Sequence, residues 1–188
     1  MISKHFLAFV FLLLASFTIV SRELKPVHFQ QRRVNRESLK LLGTLPTSLI
    51  RQCLPHRENF LLPQKAINPP RCSRGHAAAV LHEMLQQIFN LFGADQSLSS
   101  WDESLVEKFL VELHQQLERV ETVMGLEADQ KSHTLGTENI RLQVKMYFRR
   151  IHNYLENQKY SSCAWLLVRV EINRCLFFVF RLTEKLSN

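Results

Sequence analysis

The chain has 188 residues, room for one domain with a proper core and not comfortably for two. Its formal charge is +7, and the basic residues are spread in singles and pairs such as Arg32-Arg33 and Arg149-Arg150. Such spreading describes solvated helix faces and argues against a nucleic-acid interface. Five glycines in the whole chain argue against a β-sandwich.

The first element reads as a secretory leader over residues 1–21. Lys4 supplies the charge, residues 6–20 form an uncharged apolar run, and Ser21 is a small residue at a plausible cleavage point. The run is shorter than the roughly 18–20 residues that span a bilayer as a helix, and charges interrupt every later candidate. The expectation is a secreted, extracellular product of residues 22–188 with no membrane insertion.

Apolar spacing then predicts five helices. The first covers residues 26–42, with Val27, Val34, Leu41 and Leu42, and is stopped by Gly43. The second covers residues 76–92, carried by Val80, Leu81, Met84, Leu85, Ile88 and Phe92. Ser100 and Glu103 have the spacing of a capping box for the third, where Leu105, Phe109, Leu113, Leu117, Val120 and Met124 repeat at threes and fours. Thr137 is the expected cap of the fourth, with Ile140, Val144, Tyr147, Ile151 and Leu155 on one stripe. Ser161 and Ser162 are the expected caps of the fifth.

The connection over residues 44–71 carries Pro46, Pro55, Pro63, Pro69 and Pro70 and cannot be one helix. A link of roughly thirty residues inside a compact domain suits a crossover between parallel neighbours, as in cytokine bundles.

On a helical wheel the last helix has two unlike faces. Val168, Ile172, Cys175, Val179 and Leu182 form the core arc, with Trp165 and Leu176 at its edge. Leu166, Val170, Arg174, Phe177 and Arg181 form the opposite arc, flanked by Arg169 and Asn173. Arginine mixed with aliphatic and aromatic anchors is the composition of an interface. Cover by the proline-rich crossover would account for part of that arc equally well.

The four cysteines allow three full pairings. Cys163 and Cys175 would stand about 18 Å apart on one helix, too far for a disulfide, which needs Cα atoms within about 7 Å. Cys53 is within easy reach of Cys163. A Cys72–Cys175 bridge stays open, although a core position suits Cys175 as a free thiol.

Catalytic motifs are incomplete. His82-Glu83 opens a zinc-protease pattern, but Gln86 stands where the second histidine ligand belongs. Cys53 and His56 are too few for structural zinc. No phosphate loop or nucleophile elbow occurs, so no enzyme and no cofactor are expected. A secreted zinc enzyme, or an unrelated bundle binding a membrane surface or another receptor, would be the rival classes.

The segment "YFRRIHNYLENQKYSSCAW" (residues 147–165) resembles the type I interferon signature, an aromatic pair followed by an aromatic-leucine step and Cys-Ala-Trp. "FQQRRVNRESLKLL", "CLPHRENFLLPQK", "HEMLQQIF" and "RCLFFVF" extend the resemblance along the chain. It implies an all-α, five-helix cytokine bundle with a long first crossover, acting as a monomer. Such a cytokine joins interferon alpha/beta receptor chains 1 and 2 and starts JAK–STAT antiviral, antiproliferative and immunoregulatory signalling. For receptor chain 2 the resemblance implies Leu54, Arg57, Arg169, Val170, Asn173, Arg174 and Phe177. For receptor chain 1 it implies His82, Glu83, Gln86, Phe89, Asn90, Leu105, Leu110, His114 and Lys145. It also implies a Cys53–Cys163 disulfide.

The chain departs from the family pattern in several places. Residues 22–52 hold no cysteine and the third helix has Val123, so the second disulfide of many relatives is not expected. Lys145 and His114 stand where alpha members carry arginine and tyrosine, and Val170 and Asn173 also differ. No Asn-x-Ser/Thr sequon occurs, so N-glycosylation is not expected.

Overall fold

The computed structural model describes residues 47–70, 72–94, 102–128 and 135–187. The expected leader, the first helix, Gly43 and Ser100 lie outside these residues. Helix α1 (Thr47–Cys53) runs into a 3-10 turn (Leu54–His56) and is followed by the short α2 (Gln64–Ile67). Four long helices complete the described fold: α3 (Arg74–Gly93), α4 (Glu103–Ala128), α5 (Leu135–Asn157) and α6 (Ser162–Ser187).

α3 packs against α4, α5 and α6 and is the hub of the described bundle. Its sequence explains that position. Ala77, Ala78, Ala79, Val80 and Leu81 are all buried, so more than one stripe of this helix is apolar. A helix that is apolar on several sides must be covered on several sides. Phe92 locks the hub to its neighbours, with its ring 5.3 Å from Phe109 of α4 and 5.9 Å from Trp165 of α6. Edge-to-face and tilted aromatic pairs at these separations add to the area they bury.

The predicted stripes are the buried ones in α5 and α6. Ile140, Val144, Tyr147, Ile151 and Leu155 are all buried, as are Val168, Ile172, Cys175, Val179 and Leu182. Trp165 and Leu176 are buried with the second set. Leu166, expected on the outer arc, is 4% exposed. The wheel treats a helix as isolated, whereas α1 packs against α6 and the Cys53–Cys163 disulfide lies one turn before Leu166.

Two expected helix starts differ. α4 opens at Glu103, and Asp102 is the cap among the described residues. Its carboxylate accepts the N–H groups of Ser104 at 3.0 Å and Leu105 at 3.3 Å, and the Ser104 hydroxyl at 2.8 Å. The Ser104 hydroxyl, above all, holds the Asp102 carboxyl below its ordinary pKa. A charged acceptor answers the positive helix end better than a neutral hydroxyl. α5 begins at Leu135, so Thr137 lies inside it and does not cap it. At α6 the expectation holds: Ser161 Oγ accepts the Ala164 N–H at 3.3 Å.

The crossover is fastened at several points. Cys53 is bonded to Cys163, with Cα atoms 5.2 Å apart. The Tyr154 hydroxyl donates to the His56 carbonyl at 2.9 Å, and its ring meets Phe60 edge-on at 5.2 Å. Arg150 donates to the carbonyls of Phe60 at 2.9 Å and Leu61 at 3.2 Å. Those bonds brace a left-handed backbone at Leu61, where φ is 54°. A β-carbon is disfavoured there, so neighbouring contacts must hold the conformation. Phe60, Leu62 and Ile67 join the main core.

Candidate functional site

The outer face of α6 is apolar where a solvated helix would be polar. Val170 is 50% exposed and Phe177 60% exposed, each beside an arginine. Arg181 places its guanidinium carbon 5.9 Å from the centre of the Phe177 ring. Arg174 is exposed and approaches the Glu171 carboxylate at 3.6 Å. Arg169 and Asn173 are half-buried, and desolvation lowers the Arg169 pKa from its ordinary value.

The crossover is bonded to α6 at the helix start. Leu54 is 49% exposed and Arg57 is exposed, both immediately after the cysteine bonded to the start of α6. The strip is elongated. Phe177 lies fourteen residues beyond Cys163, about 21 Å along the helix at 1.5 Å per residue.

A second group of expected residues gathers around α3. His82 reaches Glu121 of α4 at 3.0 Å, and Gln86 donates to Asn90 at 3.0 Å. Phe89 is half-buried, with its ring 6.1 Å from the His114 ring of α4. His114 is itself exposed and pairs with Glu118 at 3.5 Å. Leu105 and Leu110 are half-buried and pack against the core. Glu83 is largely buried: Gln87 donates to it at 2.9 Å, and Lys145 of α5 stands 3.8 Å away. Phe89, Asn90, His114 and Lys145 therefore offer surface, whereas Glu83 acts inside the helix packing.

Sequence reasoning missed the residues behind these faces. Tyr147 was expected only as core, yet its hydroxyl donates to Glu171 at 2.7 Å. A tyrosine on a buried stripe needs a polar partner, and that signal was present. Arg150 read as half of a solvated basic pair, and nothing in its spacing marks it as a crossover anchor. Leu142 and Met146, exposed on α5, were also missed. Among the described residues no three histidine, cysteine or acidic side chains could hold a metal. No helix among them is long and apolar enough to cross a membrane.

A helical bundle with a fastened crossover and apolar-basic surface strips defines a cytokine-like binding protein. The interferon alpha/beta domain model matches residues 27–186, and the chain belongs to the type I interferon family. It is 66% identical to human (Homo sapiens) interferon epsilon over 187 residues, covering 100% of this chain and 90% of the relative. To pig (Sus scrofa) interferon epsilon it is 67% identical, covering 100% of this chain and 97% of the relative. Among solved structures, zebrafish interferon 2 matches with a TM-score of 0.69 at 21% identity, covering 82% of this chain and 97% of that one. That last likeness concerns the fold. The protein is thus a type I interferon cytokine and not an enzyme, in a family that acts by binding an interferon receptor.

Proposed function

We propose that the chain is secreted and, as a monomer, bridges interferon alpha/beta receptor chains 1 and 2, starting JAK–STAT signalling. Leu54, Arg57, Arg169, Val170, Asn173, Arg174 and Phe177 meet receptor chain 2. The observation carrying this reading is the exposure of Val170 and Phe177 beside Arg174 and Arg181, on a helix whose other face is core. Exposed apolar groups interleaved with arginine suit a desolvating partner, because the guanidinium pairs with carboxylates while its stem packs on apolar surface. His82, Gln86, Phe89, Asn90, His114 and Lys145 form the weaker contact with receptor chain 1, with Glu83, Leu105 and Leu110 supporting them.

Titration against each receptor ectodomain separately, beside STAT phosphorylation in cells carrying both chains, tests the proposal. Binding to both ectodomains with phosphorylation that needs both is the expected result. Phosphorylation in cells lacking either chain would overturn the bridging role.

A further inference from the structure

Tyr147 belongs to the core of α5, yet its hydroxyl is linked to the exposed strip of α6. Tyr147 Oη donates to Glu171 Oε1 at 2.7 Å, and the same oxygen lies 3.6 Å from Arg174 Nη1. Behind the tyrosine, Cys175 Sγ stands 3.2 Å from the same hydroxyl. A phenol has a single proton, and an ionised carboxylate can only accept. With that proton committed to Glu171, the Cys175 thiol must be the donor to the Tyr147 oxygen. Burial pushes the Cys175 thiol up to about 12, so it keeps its proton at neutral pH. Donation therefore runs from the core outward, thiol to phenol to carboxylate, and ends beside Arg174.

Resting on the receptor-face reading above, we infer that Tyr147 and Glu171 are positioning residues that fix Arg174 for receptor chain 2. A lone i,i+3 ion pair on an exposed helix face is weak and its side chains wander. Here the acid is not free to wander. Glu171 is only 16% exposed in its side chain and is anchored by a short bond to a fully buried phenol. Arg174 thus faces an immobile counter-charge, which narrows its rotamers before any partner arrives and reduces the ordering cost of binding. Tyr147 would touch no receptor atom itself.

The test is a double-mutant cycle read by binding to the chain 2 ectodomain. Arg174→Ala is expected to weaken binding about thirtyfold, and Tyr147→Phe about fivefold, with binding to chain 1 unchanged. In the Arg174→Ala background, Tyr147→Phe should change binding less than about twofold, because its effect passes through the arginine. Glu171→Gln keeps an acceptor for the phenol but removes the charge. It should reproduce the Tyr147→Phe result, and it serves in its place if thermal melts show that the phenylalanine variant is unfolded. Equal weakening in both backgrounds, or none in the parent, overturns the positioning role while leaving the face intact. Unchanged binding by Arg174→Ala overturns the positioning role, and unchanged binding by Arg169→Ala as well overturns the face.

Discussion

Glu83 of α3 and Lys145 of α5 face each other at 3.8 Å, the carboxylate 7% exposed and the ammonium 58% exposed. The pair spans two helices, so Lys145 has a structural task besides any receptor contact. Lys145→Ala should destabilise the fold by about 1 kcal/mol, because it leaves a largely buried carboxylate with Gln87 as its remaining partner among the described residues. Denaturant melts would register this. Lys145→Arg should restore the stability, and equal midpoints for all three proteins would refute the structural role.

Phe89→Ala separates the two faces. Its ring is half-buried against His114 and the core, so truncation should cost about 1–2 kcal/mol of stability. Signalling and chain 1 binding should fall, while chain 2 binding stays within about twofold. Loss of both bindings in a folded variant would show that the faces are not separate.

The α6 variants compare surface with core. Arg174→Ala removes an exposed side chain and should shift stability by less than about 0.5 kcal/mol while weakening chain 2 binding. Arg169→Ala should also weaken binding, at a larger stability cost, since its stem is half-buried. Ile172→Ala opens the core and should cost roughly 2–5 kcal/mol. Normal binding by both arginine variants, with early melting of the isoleucine variant, would leave α6 as core alone.

The last helix shows how much of this was legible. Its core arc follows from period 3.6 alone, since every residue placed there is buried. Leu166 lies on the outer arc yet is buried, in keeping with crossover cover of part of that arc; the wheel alone could not choose it, because α1 arrives from more than a hundred residues away through the Cys53–Cys163 bond. The two helix starts that differ do so for another reason. Several side chains within a few residues can cap, and competition between Asp102 and its neighbours is settled by charge and local backbone geometry rather than by spacing. The outer-face residues were readable as a mixture of arginine and apolar side chains. Of their supports, Arg150 was not, because it acts across helices, and Tyr147 signalled that it needs a polar partner without signalling which one.

The disulfide closes a sequence separation of 110 residues. Reduction should lower stability by on the order of 4–5 kcal/mol in the chain-entropy model. Peptide mapping without reductant should recover Cys53 joined to Cys163, and Cys175 as a thiol reactive only after unfolding. Recovery of Cys175 in a disulfide of the folded protein would contradict the structure.

Alkaline pH should destabilise the bundle. Burial raises the Cys175 pKa from 9.0 to about 12, so the folded state holds a proton that the unfolded state releases between those values. The contribution is complete below pH 9.0 and is lost progressively as pH rises toward 12. Burial also raises the Tyr147 phenol, which acts in the same direction at higher pH. Cys175→Ser should flatten the first part of the decline, and a parallel pH profile for that variant would rule out the thiol as its source.

The fastening of the crossover alters the arithmetic of encounter. Leu54 and Val170 are distant in sequence, yet the bond at Cys53 ties the crossover to the start of α6, and Tyr154 and Arg150 tie it to α5. A loop of this length left free would have to be frozen by each arriving partner, at about 1–2 kcal/mol per backbone residue ordered. Here that freezing happens once, during folding. A partner seated across both segments meets a surface already cast, and its gain per contact is correspondingly larger.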